Sequence, residues 1–222
     1  MAIYTSHYFH KRNDNSLNRY FALLGANDPV PFYLGKADRS SYLKEIDNQK
    51  NPEHNEIDLV PSYGDNGFFY LRELLLKSDL DHYYPMDNAV DLINQGYDTF
   101  GRMRNNFIWH RTTNGNLTEF LKRRYRYARN LYCDRQDRRW KMFDGRQDYW
   151  RLAGFVFSTI SIIPCIAISI RGFLKVRDWA WFWHWPVCLG FLIIYGLLAC
   201  RNLLWHQSLF QVTAGRKALK PV

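Results

Sequence analysis

Two stretches decide the reading: Leu152–Ile170, LAGFVFSTISIIPCIAISI, and Trp179–Cys200, WAWFWHWPVCLGFLIIYGLLAC. The first runs nineteen residues without a charge and the second twenty-two without Asp, Glu, Lys or Arg. At 1.5 Å of rise per residue, each is long enough to cross a hydrocarbon core of about 30 Å. The stretch between them, Arg171-Gly-Phe-Leu-Lys-Val-Arg-Asp178, is a short basic link. The pattern predicts a transmembrane hairpin whose two ends lie on one side.

Outward from the hairpin the chain turns basic. Arg135, Arg138, Arg139, Lys141, Arg146 and Arg151 precede it, and Arg201, Arg216, Lys217 and Lys220 follow. Excess Lys and Arg mark the cytoplasmic side, so both termini are expected there, in a multi-pass inner-membrane protein. Tyr149, Trp150, Trp179, Trp181, Trp183 and Trp205 fall where an aromatic belt would sit. His184, near a span end, reads as an interfacial histidine, with a proton relay as the rarer alternative. Pro164 and Pro186 are candidate kink sites.

The 222 residues carry a net charge of +9. With the cations crowded beside an apolar run, anionic headgroups or a phosphorylated substrate are the expected partners, and nucleic acid is not. The four cysteines form no CxxC pair, which argues against a disulfide framework or a zinc knuckle. The opening MAIYTSHYFHKRND has no apolar run of the signal-peptide kind.

The polar part divides into a domain over 1–115, a basic helical region over 116–150, the hairpin over 151–206 and a tail over 207–222. Short helices are expected at Asn18–Ala26, closed by Gly25, at Leu71–Lys77, and at Asp87–Gln95, closed by Gly96. Residues 25–39, with Pro29 and Pro31, read as an ordered loop and residues 46–57 as an exposed linker. Strands are expected at Ile57–Val60 and Asn106–His110. Asn116-Leu-Thr-Glu119 has the form of a capping box. The helix it opens, running to about Trp140, alternates an apolar stripe (Phe120, Leu121, Tyr125, Ala128, Leu131, Tyr132) with Lys122, Arg123, Arg124, Arg126 and Arg129. Such a helix beside a span is expected to lie in the interface plane.

Three features carry chemistry. The loop Gly64-Asp65-Asn66-Gly67 lets backbone approach a ligand, with Asp65, Asn66 and Gly67 as candidate binding residues; it is also an ordinary turn. Asp87, at a helix start, is placed to take a proton from a hydroxyl, or simply to cap the helix; Asp91 competes one turn later. His110, at a strand end, is a candidate ligand for a divalent metal or a loop-satisfying residue. Arginines on one helical face can grip a pyrophosphate bidentately.

The order GDNGFFYLRELLLKS, MDNAVDLINQGYDTF, IWH, FLKRRYRYARNLY, then hairpin, over roughly residues 55–205, resembles the C-terminal portion of a family 2 glycosyltransferase of the GT-A fold. The resemblance implies an α/β class: a partial GT-A-like domain followed by an interfacial helix and two transmembrane helices. It implies Asp87 as base, although Met86 stands where the family's glutamate belongs. It implies His110 as a ligand for Mg or Mn. It also implies a Gln-x-x-Arg-Trp counterpart. Arg123-Arg124-Tyr125-Arg126-Tyr127 matches that motif in placement and is preferred; Gln136-Asp-Arg-Arg-Trp140 matches it in spelling. Arg123, Arg126, Tyr127 and Arg129 are thereby the expected diphosphate-binding face.

The family's Asp-x-Asp motif is missing before the glycine loop. Asp79-Leu80-Asp81 spells it, but after the loop. The expectation is therefore an acceptor-side and membrane portion that is inactive without a separate donor-binding half. Whole, it would move a sugar from a nucleotide-sugar donor to a lipid-linked or membrane-proximal acceptor. The alternative is a non-catalytic membrane-anchored protein docking anionic lipid or a partner protein.

Overall fold

A computed structural model describes residues 2–6, 10–36, 68–80, 87–97, 100–109, 111–133, 139 and 145–217. Its helices are α1 (Ser16–Leu24), α2 (Pro29–Tyr33), α3 (Arg72–Leu75), α4 (Asp87–Asn94), α5 (Leu117–Cys133), α6 (Arg146–Ser161), α7 (Ile163–Lys175) and α8 (His184–Lys217), with a 3-10 turn at Trp179–Trp183.

The α/β class expected from the resemblance is overturned. Where side chains are described, 71% of the residues are helical and 2% are in strands. A GT-A domain needs a parallel sheet covered by helices on its faces. The only strands among the described residues are three short backbone segments, Ala2–Ser6, Phe68–Tyr70 and Phe100–Phe107. The first pairs antiparallel with the second and parallel with the third. The strands pack chiefly on one another, and the core lies elsewhere. Expected strand residues Asn106 and Phe107 fall in the third segment; Ile57–Val60 lies outside the described residues.

The core is helical and joins the two ends of the sequence. Seven of the nine residues of α1 are buried. Tyr20, Phe21, Leu24, Val30 and Leu34 form one cluster with Phe120, Phe155, Trp181, Val187 and Phe191. A short helix buried on nearly every side is stable only inside such a cluster, since nine isolated residues do not hold helix in water. Its polar members are paired. Mid-helix Asn18 donates to the Thr113 carbonyl at 2.9 Å and accepts from the Thr112 hydroxyl and the Thr113 amide, each at 2.9 Å. Asn15 caps the helix by accepting from the Asn18 amide at 2.9 Å, and Gly25 ends it in the left-handed conformation, as the sequence predicts.

Residues 29–33 are helical where a loop was expected. Asp28 accepts from the Val30 amide at 2.8 Å as N-cap, and Pro29 sits in the first turn, where its missing N–H costs nothing. The helix sets Lys36 against Asp148 at 2.8 Å, both side chains buried. Arg151 binds the Leu34 carbonyl at 2.8 Å. Asp178, between α7 and the 3-10 turn, receives His10 at 2.8 Å, Arg19 at 2.9 Å and the Ala180 amide at 2.8 Å. The beginning of the chain thus clamps the helices near its end.

The first apolar run is not the straight span expected. It breaks at Ile162, where α6 and α7 meet at 95°. Ile162 has φ of 64°, a strained value for a β-branched residue, and Pro164 stands in the first turn of α7, where it cannot extend α6. The carbonyls freed at the break find donors: the Cys165 thiol reaches the Ser158 carbonyl at 3.3 Å, and the Trp185 indole reaches that of Thr159 at 3.1 Å. The basic link is also mostly helical, with Arg171–Lys175 inside α7.

Trp179–Arg201 is long and apolar enough to cross a membrane, and the bent pair α6–α7 is a second crossing if counted as one span. Large apolar side chains stand exposed along these helices, among them Phe157, Ile160, Ile163, Leu174, Ile193 and Leu197. Water is a poor environment for so many exposed apolar groups; lipid is a good one. The helices meet at small residues: a Cβ on Gly172 would run into the Trp181 ring, and one on Gly190 into Leu121.

Candidate functional site

Asp87 is the first residue of α4 and is fully buried. Its Oδ2 accepts a hydrogen bond from the Arg139 amide at 3.1 Å. The Arg139 guanidinium reaches Asp91, one turn along α4, at 2.6 Å, and Asp79 at 3.5 Å. Residue 139 therefore covers the start of α4 with its backbone and places a positive charge among three carboxylates. Asp91 also accepts from the Asp79 amide at 3.1 Å, which fixes the turn after α3 onto α4. Asn88 and Leu92 are buried beneath. Gly96, with φ of 86°, closes the helix, as the sequence predicts.

Arg139 is the arginine of Gln136-Asp-Arg-Arg-Trp140, the literal form of the family pentapeptide. The placement-based counterpart sits elsewhere. Asn116 caps α5 by accepting from the Glu119 amide at 3.1 Å, so the predicted cap is present. Phe120 and Leu121 turn inward, Phe120 stacking on Phe21 at 4.6 Å and Leu121 lying against Gly190. The apolar face of α5 thus packs on α1 and α8. Arg123 donates to the Thr112 carbonyl. Arg124 lies over Phe191. Arg126, Tyr127 and Arg129 are exposed. The structure brings Asp87, Asp91 and Arg139 together, whereas Arg123 is held on Thr112 and Arg126, Tyr127 and Arg129 stand exposed on α5. Asp65, Asn66, Gly67 and His110 lie outside the described residues.

A second polar site lies at the join of α2 and α8. Asp28 is buried, and burial pushes its carboxyl up, while the charge of Arg124 and hydrogen bonds from Tyr195 and the Val30 amide oppose the shift. A buried carboxylate with a nearby cation and two donors is a satisfied core group.

The divalent metal implied by the resemblance can be tested on the ligands present. Among the described residues, the one convergent group of metal-ligating side chains is Cys165, His184 and Cys188. Thiolate and imidazole are soft donors that do not suit Mg or Mn. Asp79 and Asp91 are both engaged by the Arg139 guanidinium, and they are not among the convergent ligand groups. The described residues therefore do not fit a Mg or Mn centre.

Sequence reasoning did not bring Arg139 to Asp87, because 52 positions separate them. It missed the Cys/His/Cys group for a similar reason: its members come from two helices with no local motif. The spacing of His184 and Cys188, one helical turn, was the available signal. No family model, curated protein or solved structure matches the chain.

Proposed function

We propose that this chain is the acceptor-side and membrane portion of an inverting glycosyltransferase, moving a sugar from a nucleotide-sugar donor to a lipid-linked or membrane-proximal acceptor. The observation supporting the reading is Asp87: a buried carboxylate at a helix start, held by the arginine of the Gln-x-x-Arg-Trp sequence seven residues before α6 begins.

In the proposed reaction the acceptor hydroxyl oxygen attacks the anomeric carbon from the face opposite the diphosphate. The hydroxyl proton passes to the Asp87 carboxylate. The bond from the anomeric carbon to the diphosphate oxygen breaks, and the nucleoside diphosphate leaves with the electron pair. The Arg139 amide meets Asp87, while its guanidinium is engaged by Asp91 and Asp79. No step is assigned to a metal. The exposed face of Lys122, Arg126 and Arg129 on α5 attracts the anionic headgroups of the inner leaflet, beside an acceptor carried in lipid. Both termini are placed in the cytoplasm.

The test is transfer by full-length chain in detergent, supplied in trans with a donor-binding half and a labelled nucleotide sugar. Asp87→Asn is expected to lower turnover at least a hundredfold (about the scale of lost general-base catalysis) while leaving the melting temperature nearly unchanged. Undiminished turnover removes Asp87 from the mechanism. Binding to anionic vesicles with no transfer under any pairing favours the anchored binding protein instead.

A further inference from the structure

Four side chains converge at the heart of the helical core. Cys165 comes from the first turn of α7, His184 and Cys188 from one face of α8, and Tyr33 from the end of α2. Cys165, His184 and Cys188 are all buried, and their ligand atoms lie within 4.8 Å of one another. The Tyr33 hydroxyl is 3.3 Å from His184 Nε2 and 3.5 Å from Cys165 Sγ, and Cys188 Sγ is 3.8 Å from His184 Nε2.

Those separations have a chemical meaning. Zinc binds sulfur at about 2.3 Å and nitrogen or oxygen at about 2.0–2.1 Å. In a tetrahedron with those bonds, oxygen–nitrogen edges are about 3.3 Å, and edges from sulfur to oxygen or nitrogen about 3.5 Å. The three separations given lie within a few tenths of an ångström of such edges; Cys188 Sγ also lies 4.0 Å from His184 Nδ1, so its sulfur sits beside the ring and has to turn toward the Nε2 lone pair to ligate with it. His184 is also oriented for the role. Its Nδ1 lies 3.0 Å from the hydroxyl of Tyr20, which is fully buried. An Nδ1–H donated to that oxygen leaves the Nε2 lone pair facing the cluster, the arrangement that fixes metal-binding imidazoles.

We propose that Cys165, His184 and Cys188 form a zinc site that fastens the broken helix pair to α8, with the Tyr33 hydroxyl of the N-terminal clamp beside its fourth position. Binding deprotonates both thiols: two sulfur–zinc bonds replace two S–H bonds, two protons leave for solvent, and Cys165 gives up its contact with the Ser158 carbonyl. With a neutral imidazole, two thiolates and zinc carry no net charge, which suits an interior that tolerates no unpaired ion. The three ligands are all buried where the helices meet, so the role assigned to the metal is to hold them together. The inference is independent of the transfer reaction.

The test uses full-length, untagged chain in detergent, purified without chelator. One zinc per chain is expected by elemental analysis. Replacing it with cobalt(II) should give the strong visible bands of a tetrahedral site and thiolate-to-cobalt charge transfer. Cys188→Ser and Cys165→Ser should abolish both. Tyr20→Phe, which leaves the ligands in place, should weaken zinc binding about 10–100-fold, the usual cost of removing an outer partner. Because a cysteine variant can lose its fold, the cobalt spectrum of the unaltered chain stands as a separate criterion. Absence of charge transfer in that chain, with all four cysteines titrating as reduced thiols after denaturation, overturns the proposal; so does zinc retained undiminished in Cys188→Ser.

Discussion

Residues 10–36 and residues 87–94 are held against the rest of the protein by different forces. The first is an apolar plug. Tyr20, Leu23, Leu24 and Val30 are wholly buried, and the Asn18 side chain it takes inside is matched by Thr112 and Thr113. The second is pinned by charge: Asp87, Asp91 and Asp79 around Arg139, with Leu92 its one wholly apolar buried anchor among the described residues. Burial supplies stability in bulk and resists movement. An ion-paired contact, partly open to solvent, contributes little net stability and can open and close at small cost. The difference separates a region fixed by burial from one fixed by ion pairs.

The comparison breaks first at its strongest point. Phe21→Ala removes a fully buried ring that stacks on Phe120 and should cost about 3–5 kcal/mol, read as a lowered denaturation midpoint in detergent. A loss below about 1 kcal/mol would mean the plug is not a plug. Lys36→Met removes the nearer cation from buried Asp148, leaving Arg151 at 4.0 Å, and should cost about 2–3 kcal/mol, less than a fully orphaned buried charge. Adding Asp148→Leu should recover most of it, because the penalty lies in the under-compensated carboxylate; equal losses in the single and double variants would contradict that.

Acid should act on the clamp by way of Asp178. Burial opposes its ionisation, but the Ala180 amide, His10 and Arg19 together hold the carboxyl below the ordinary range. A depressed carboxyl stabilises the fold fully above the unfolded value near pH 4 and loses that contribution as pH falls through the folded value. The stability difference between the parent chain and Asp178→Asn should therefore be constant from pH 7 to 5 and shrink below pH 4. A difference that grew on acidification would reverse the assignment. Smallest is Arg139→Gln. Its ion pairs are partly exposed, so the denaturation midpoint should move by about 1 kcal/mol or less. A larger shift would place α4 in the same cooperative core as α1.

Much of the helical outline was legible because its signals are local. Asn116 with Glu119, Gly25 and Gly96 each act within one turn, and each is found where the sequence puts it. Pro29 and Pro31 misled, since proline ends a helix from inside but begins one when Asp28 precedes it. Pro164 announced a disturbance, but not its size: the 95° corner depends on Trp185 and Cys165 serving the freed carbonyls. The resemblance supplied a helix-covered parallel sheet, whereas the described residues hold only three short paired strands away from the core. Its aspartate, by contrast, does meet the literal pentapeptide's arginine. Neither the burial of α1 nor the meeting of Asp87 with Arg139 has a local signal, because both are contacts across many tens of residues.

The clamp has a consequence for the order in which the protein can be made. Asp28 meets Tyr195 and His10 meets Asp178, pairs separated by 167 and 168 positions. At about 5–20 residues per second of synthesis, α1 leaves the ribosome roughly ten seconds or more before α8 exists. Through that interval a greasy nine-residue segment has nothing to bury against. It must wait unfolded, shielded by a chaperone or by the ribosome's own surface, until the last helices arrive and close the molecule in one late step.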